Sequence, residues 1–207
     1  MYIPEHFRLR HDSDAVTFMN ANPFAILIST TDEGPYATHL PLSIHSTQDH
    51  TLLRGHVAKA NQHWRYLEQQ PHCLTVFHGP HAYISPTNYT EYESVPTWNY
   101  AAVHAYGNAR IFSSEEDVHA MLNQLMATFE PEYRQQWDDL SATFRDNMLR
   151  QIVGFEIDVT KIEGKFKLSQ NRIRADQANV MESLEKSQDS TISGVARMMK
   201  EQCLGKK

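Results

Sequence analysis

This sequence of 207 residues contains few cysteines and no long apolar run. Its two cysteines, Cys73 and Cys203, supply neither a disulfide framework nor the four ligands of a structural zinc site. The longest uninterrupted apolar stretch runs from about Phe24 to Ile28, whereas a helix that crosses a bilayer needs roughly 20 residues. The opening residues also lack the basic and then apolar layout of a signal peptide. We therefore expect a cytoplasmic protein without a membrane segment.

Charge is unevenly distributed along the chain. Residues 1–160 carry 9 basic and 19 acidic side chains, whereas residues 161–207 carry 10 basic and 6 acidic ones. The acidic part argues against a surface that wraps nucleic acid, and the basic C-terminal part leaves DNA open as a partner. The 12 histidines form no HExxH motif, so packed or hydrogen-bonded imidazoles are expected and no metal site is predicted.

The alternation of apolar residues predicts a mainly antiparallel β fold with inserted helices, an α+β barrel. Residues 36–45 are typical of one strand, in which Pro41 indicates an edge, a bulge or a break that faces a ligand. Gly79 and Pro80 indicate a turn between two strands. We expect one domain over residues 1–170 and a helical extension over residues 171–207.

The C-terminal extension is predicted to contain two amphipathic helices, over residues 178–186 and 190–202. They can be drawn as a helix–turn–helix with Arg197 and Lys200 on its second helix, or as a helical hairpin that packs on a dimer.

The clearest candidate for phosphate binding lies in residues 53–61, where a strand passes through a glycine into the start of a helix. Such a junction presents backbone amides, and Arg54 and Lys59 are near enough to contact a phosphate. No nucleophile elbow, phosphate loop or dinucleotide motif occurs, so no catalytic residue is assigned.

Two further segments are rich in polar and aromatic groups. In residues 95–100, Trp98 and Tyr100 could flank a planar ring while Asn99 hydrogen-bonds its edge; residues 165–172 follow the last strand. Taken singly, each of the three segments could equally be a solvated loop. Together they suit a phosphorylated, flat, heteroaromatic ligand.

Several motifs occur in a familiar order: residues 1–7, 37–42, 55–61, 77–86, 95–100 with 103–107, and 167–172. In these motifs the chain resembles the PaiB family of FMN-binding negative transcriptional regulators. That family lies within the FMN-binding split-barrel superfamily of pyridoxamine-phosphate-oxidase-like proteins. The resemblance implies an FMN-binding split β-barrel of six strands with a C-terminal helical hairpin, which forms a homodimer and binds FMN in clefts between the subunits.

The resemblance also implies which residues contact FMN. A strand over residues 38–42 lies along the isoalloxazine, Lys59 holds the phosphate, and segments 98–100 and 167–172 come from the partner subunit. The expected cofactor-binding residues are Thr38, His39, Leu40, Pro41, Arg54, Gly55, His56, Lys59, Trp98, Asn99, Tyr100, Lys167 and Gln170. Two functions are compatible with such a site: negative regulation of transcription, and an FMN-dependent oxidoreductase or flavin reductase, in which FMN itself supplies the redox chemistry.

Overall fold

The structure, a computed structural model, describes residues 1–9, 11–47, 50–112 and 114–204, without the side chains of residues 203 and 204. Its seven strands form one sheet in the order β2-β1-β5-β6-β7-β4-β3. The strands are β1 (Phe24–Thr31), β2 (Gly34–Pro41), β3 (Ser43–Ser46), β4 (Thr51–Ala58), β5 (His72–Ile84), β6 (Thr97–Ile111) and β7 (Ile152–Lys167). The antiparallel fold with inserted helices is confirmed, with seven strands where the resemblance implied six.

Seven α-helices connect or follow the strands within the described residues. They are α1 (Asp12–Ala21), α2 (His63–Gln69), α3 (Glu115–Phe129), α4 (Tyr133–Asp139), α5 (Ala142–Leu149), α6 (Arg174–Glu185) and α7 (Ser190–Leu204). The hydroxyl of Ser114 accepts a hydrogen bond from the Asp117 amide and so caps α3. None of the helices in this described part is long and apolar enough to cross a membrane.

The stretch predicted as one strand is divided at Leu42, directly after Pro41. β2 pairs with β1 and β3 pairs with β4, so the two pieces lie at opposite ends of the strand order. Proline has no amide hydrogen to donate to a ladder, which suits the last residue of an edge strand. Of the three expectations for Pro41, the edge is confirmed; the strand also ends there, and that a ligand faces this break stays a prediction.

The turn predicted at Gly79 and Pro80 is wrong, because β5 continues through both residues. Proline fixes φ near a value that an extended strand tolerates, so a Gly-Pro pair does not force a turn. The ring of Pro80 is instead a packing surface: an ideal Cβ at Gly194 of α7 would lie 2.9 Å from its Cγ.

The chain divides into two compact units whose segments alternate along the sequence. The first unit comprises Met1–Ala15, His78–Val103 and Glu163–Lys207, and the second comprises Val16–Phe77 and His104–Ile162. In the second unit the largest fully buried side chains include Leu27, Leu53, Phe77, Phe155 and Ile157. The boundary expected at residue 170 stays a prediction.

The two C-terminal helices form a hairpin whose apolar side is buried in the first unit. The core there combines residues of β5, of the turn directly after β7, of α6 and of α7: Ala82, Ile84, Leu168, Val180, Leu184, Val195, Ala196 and Met199. On the exposed side, Lys200 forms an ion pair with Glu185, and Lys186 forms one with Glu182. The helices are thus fixed by their own core, and the charge of Lys200 is offset within the hairpin.

Candidate functional site

Strand β2 in the second unit presents one exposed face. Thr38 and Leu40 point inward, whereas Ala37, His39 and Pro41 are exposed, as the two-residue period of a strand requires. β2 is the first strand of the sheet order and pairs with β1 alone, so its outer edge is not covered by another strand of the described sheet. An edge strand offers backbone amides and carbonyls to a ligand.

Behind that face, β2 is attached to α2 through a buried imidazole. His63 is fully buried; its Nδ1 lies 2.7 Å from Oγ1 of Thr38, and its Nε2 lies 3.0 Å from Oγ of Ser29. Asn61 closes the network, because its Oδ1 accepts the His63 amide at 3.0 Å and its Nδ2 donates to Oγ1 of Thr38 at 3.2 Å. Burial lowers the pKa of His63 to about 4, so the ring is neutral at pH 7.

Backbone hydrogen bonds outside this network fix the segment between β4 and α2 that carries Lys59. The amide of Lys59 donates to the carbonyl of Gln151 at 2.7 Å, and its carbonyl accepts Nε1 of Trp64 at 3.1 Å. The Lys59 side chain is exposed, and its amine contacts no acidic group among the described residues. A cation on a fixed backbone with no internal counter-ion is suited to an external anion.

The other residues of β4 that were predicted to bind the cofactor make contacts inside the protein or are partly buried. Nε of Arg54 lies 2.6 Å from Oε2 of Glu156, and Nη1 donates to Oε1 of Gln124 at 2.9 Å. At Gly55 an ideal Cβ would lie 2.6 Å from Cδ2 of Leu42, so the glycine permits a close approach. His56 is partly buried, burial lowers its pKa, and its Nδ1 has no partner among the described residues.

In the first unit, the residues of β6 divide between its two faces. Trp98 is 53% exposed, and its ring centroid lies 6.0 Å from that of Tyr83 and 6.1 Å from that of His81. Asn99 points the other way and is buried, with Nδ2 donating to Oγ of Ser169 at 2.9 Å. Asn99 therefore lies in the interior, whereas Trp98 is available to stack on a planar ring.

The segment that ends β7 contains the last two predicted residues. The Lys167 amine donates to Oγ1 of Thr97, and both burial and the neighbouring Lys165 lower the pKa of Lys167. The Gln170 side chain accepts the Leu168 amide at 2.7 Å and donates to the Phe166 carbonyl, which stabilises the turn after β7. Ser169 in this turn has φ of 63°, a conformation that is uncommon for a residue other than glycine.

Sequence reasoning missed two residues that organise these surroundings. His63 gave no signal because a single histidine near a helix start is ordinary, and only the register of β1 and β2 places two hydroxyls beside its ring. Glu156 gave none because it lies 102 residues after Arg54 in the sequence.

Comparison with known proteins identifies the family. Residues 1–161 match the model of a family described as "Putative FMN-binding domain". The chain belongs to this family. It is also 38% identical to the protease synthase and sporulation protein PAI 2 of Bacillus subtilis, over 97% of each chain. The PaiB relationship and FMN as the expected cofactor are thereby confirmed at the level of the family.

Solved structures show the same split-barrel fold at low sequence identity. The flavocytochrome Anf3 of Azotobacter vinelandii is 14% identical with a TM-score of 0.59, over 80% of this chain and 72% of its own. The conserved hypothetical protein Rv2991 of Mycobacterium tuberculosis is 13% identical with a TM-score of 0.57, over 83% and 92% of the two chains.

The residues of the second unit fit a flat cofactor that carries a phosphate. The exposed face and uncovered edge of β2 suit a planar ring, and the unpaired Lys59 amine suits a phosphate. Arg54 fits that role less well, because Glu156 and Gln124 already bind its guanidinium.

Proposed function

We propose that this protein binds FMN and acts, as a member of the PaiB family, in negative regulation of transcription. The observation that carries the FMN proposal is the exposed amine of Lys59, which has no acidic contact within the described residues although its backbone is hydrogen-bonded on both sides. The FMN phosphate binds this amine. The isoalloxazine lies along residues 38–41 of β2 and Leu42 directly after it, where backbone groups contact the ring edge.

Aromatic residues of a second copy complete this proposed site. Trp98 of the partner subunit stacks on the exposed side of the isoalloxazine, with Tyr100 of the partner subunit as the alternative. The exposure of Trp98 supports this arrangement, since a half-exposed indole beside Tyr83 offers a flat apolar surface.

The regulatory role is supported by the relative that is named for protease synthesis and sporulation. Direct binding of DNA by the C-terminal hairpin is the less well supported way in which this protein could regulate transcription. α7 buries Val195, Ala196 and Met199 in its core, and Glu185 offsets the charge of Lys200. Regulation through the flavin or through a protein partner fits these observations better than direct reading of DNA.

An FMN-dependent oxidoreductase is the second candidate. The ion pair between Lys200 and Glu185 leaves the helical hairpin less suited to DNA, which favours this candidate. An enzyme of this kind needs no catalytic side chain, because FMN supplies the redox chemistry when bound.

The deciding experiment records the absorption spectrum of the purified protein while FMN is added, followed by aerobic oxidation of NADH or NADPH. We expect FMN to bind at saturation in a ratio of one per chain. Turnover of the reductant would favour the enzyme. Specific retardation of a promoter fragment without turnover would favour the regulator, and a protein that binds no flavin would contradict the proposal.

We further expect a homodimer in solution. Exposed aromatic side chains occur in both units, with Phe24 64% exposed in the second and Trp98 53% exposed in the first, and a second copy would cover them. Light scattering at micromolar concentration should give twice the chain mass of 23.9 kDa. A mass of one chain would rule out a site that is shared between two copies.

A further inference from the structure

Two lysine side chains at the end of β7, in the first unit, form no ion pair with a carboxylate of the described residues. Lys165 and Lys167 are two residues apart on one strand, so their side chains share a face. Lys165 is only 9% exposed. No carboxylate of the described residues forms an ion pair with either amine. Glu163, which shares their strand face, forms an ion pair with the amino group of Met1.

The groups that do contact these amines are neutral. Nζ of Lys165 donates to the Tyr2 carbonyl at 3.1 Å and lies 5.3 Å from the ring centroid of Tyr100 and 5.5 Å from that of Tyr2. The Lys167 amine donates to the hydroxyl of Thr97. An ammonium has three hydrogens to donate, so each amine keeps donor capacity after these contacts.

Two adjacent cations are unfavourable unless an anion lies near them. Burying a charge is unfavourable unless a counter-charge compensates it, and two ammonium groups on neighbouring positions repel each other. The pKa of Lys167 is lowered by burial and by Lys165, as expected for cations that lack a counter-ion. The side chain of Lys167 is only partly buried, so its amine borders solvent and an anion can reach it.

We propose that Lys165 and Lys167, with the hydroxyl of Thr97, form a binding site for the phosphate or carboxylate group of a small ligand. This site shares no residue with the one proposed around Lys59. Its anion comes either from a ligand other than FMN or from an FMN molecule held by a second copy.

The test is calorimetric titration with inorganic phosphate at constant ionic strength, with chloride as the balancing anion. The wild type is compared with Lys165→Met/Lys167→Met and with the control Lys186→Met, which removes one exposed ammonium from the same unit. We expect the double variant to bind phosphate at least about tenfold more weakly, since each charge-assisted hydrogen bond supports about that factor, and the control to bind as the wild type does. Equal phosphate affinity in the wild type and the double variant overturns the proposal.

Thermal unfolding checks that the loss does not come from misfolding. Phosphate at ten times its dissociation constant for the wild type should raise the Tm of the wild type by about 3 °C and that of the double variant by about 1 °C or less. Without phosphate, the Tm of the double variant should equal or exceed that of the wild type, because an uncompensated buried charge has been removed. The proposal is contradicted if the double variant has a lower Tm than the wild type and phosphate raises the Tm of both proteins equally. Lys165 and Lys167 would then have a purely structural role.

A second titration, on protein saturated with FMN, distinguishes the two sources of the anion. If the ligand is not FMN, phosphate binds with unchanged affinity. If it is FMN of a second copy, saturation abolishes phosphate binding, and the double variant loses affinity for FMN but not for riboflavin. A wild type that binds phosphate but no flavin would contradict the proposed function and leave this site standing.

Discussion

Replacing Lys59 by alanine is expected to weaken FMN binding by about 10- to 150-fold and to leave riboflavin binding nearly unchanged. A charge-assisted hydrogen bond between an ammonium and a phosphate contributes roughly 1.5–3 kcal/mol, which corresponds to that range of affinity. Riboflavin lacks the phosphate and therefore does not use the amine. Fluorescence quenching of each flavin during titration measures both dissociation constants.

The control for Lys59 is Lys161→Ala, which removes another exposed lysine of the second unit from β7. We expect it to bind both flavins as the wild type does. Equal losses for FMN and riboflavin in Lys59→Ala would show that Lys59 supports the segment rather than the phosphate. The residues before it, Val57 and Ala58, offer no hydroxyl that could share the phosphate, so Lys59 should carry most of the discrimination.

Replacing His63 by asparagine is expected to lower stability by about 2–4 kcal/mol at pH 7. The shorter side chain cannot reach both Thr38 and Ser29, so at least one buried hydroxyl loses its partner and a cavity forms. The variant should also bind FMN more weakly, because the same network joins β2 to the segment that carries Lys59. Urea denaturation and flavin titration measure the two effects.

The same substitution should reduce the loss of stability that the wild type shows as the pH falls from 6.5 towards 4. The pKa of His63 is about 4 in the folded protein and 6.5 in the unfolded chain, so the unfolded chain takes up the proton first. The stability that the neutral ring confers is complete above pH 6.5 and is lost as the pH falls towards 4, by up to about 3 kcal/mol. The groups that contact the ring are the hydroxyls of Ser29 and Thr38 and the ring of Tyr36, and none of them carries a charge near neutral pH.

The difference between wild type and His63→Asn isolates this contribution, because the other histidines are common to both proteins. His72→Asn, at the exposed start of β5, is the matched control and should keep the pH dependence of the wild type. Parallel curves for the wild type and His63→Asn between pH 6.5 and 4.5 would contradict the assigned pKa.

Local patterns predicted most strands and helices correctly where one side of an element is buried. The alternation of apolar and polar residues over 154–162 predicts the last strand, and in the structure this strand extends further at both ends, over Ile152–Lys167. α4 was missed, since a helix of seven residues without a buried residue has no apolar stripe to detect. The strand through Gly79 and Pro80 was missed because turn signals are local, whereas the neighbouring strands and α7 decide whether a turn forms.

The sequence by itself determined the family, most of the strands and helices, and the chemical types near the proposed cofactor: a lysine after a glycine-containing strand, and aromatic residues on β6. Only the tertiary structure decided which polar groups remain available to a ligand. Arg54 is bound by Glu156 and Asn99 by Ser169, whereas Lys59, Lys165 and Lys167 have no acidic partner among the described residues. The physical reason is that strand register brings together groups 70 to 102 residues apart, and a charge or amide bound inside the fold no longer serves an external ligand.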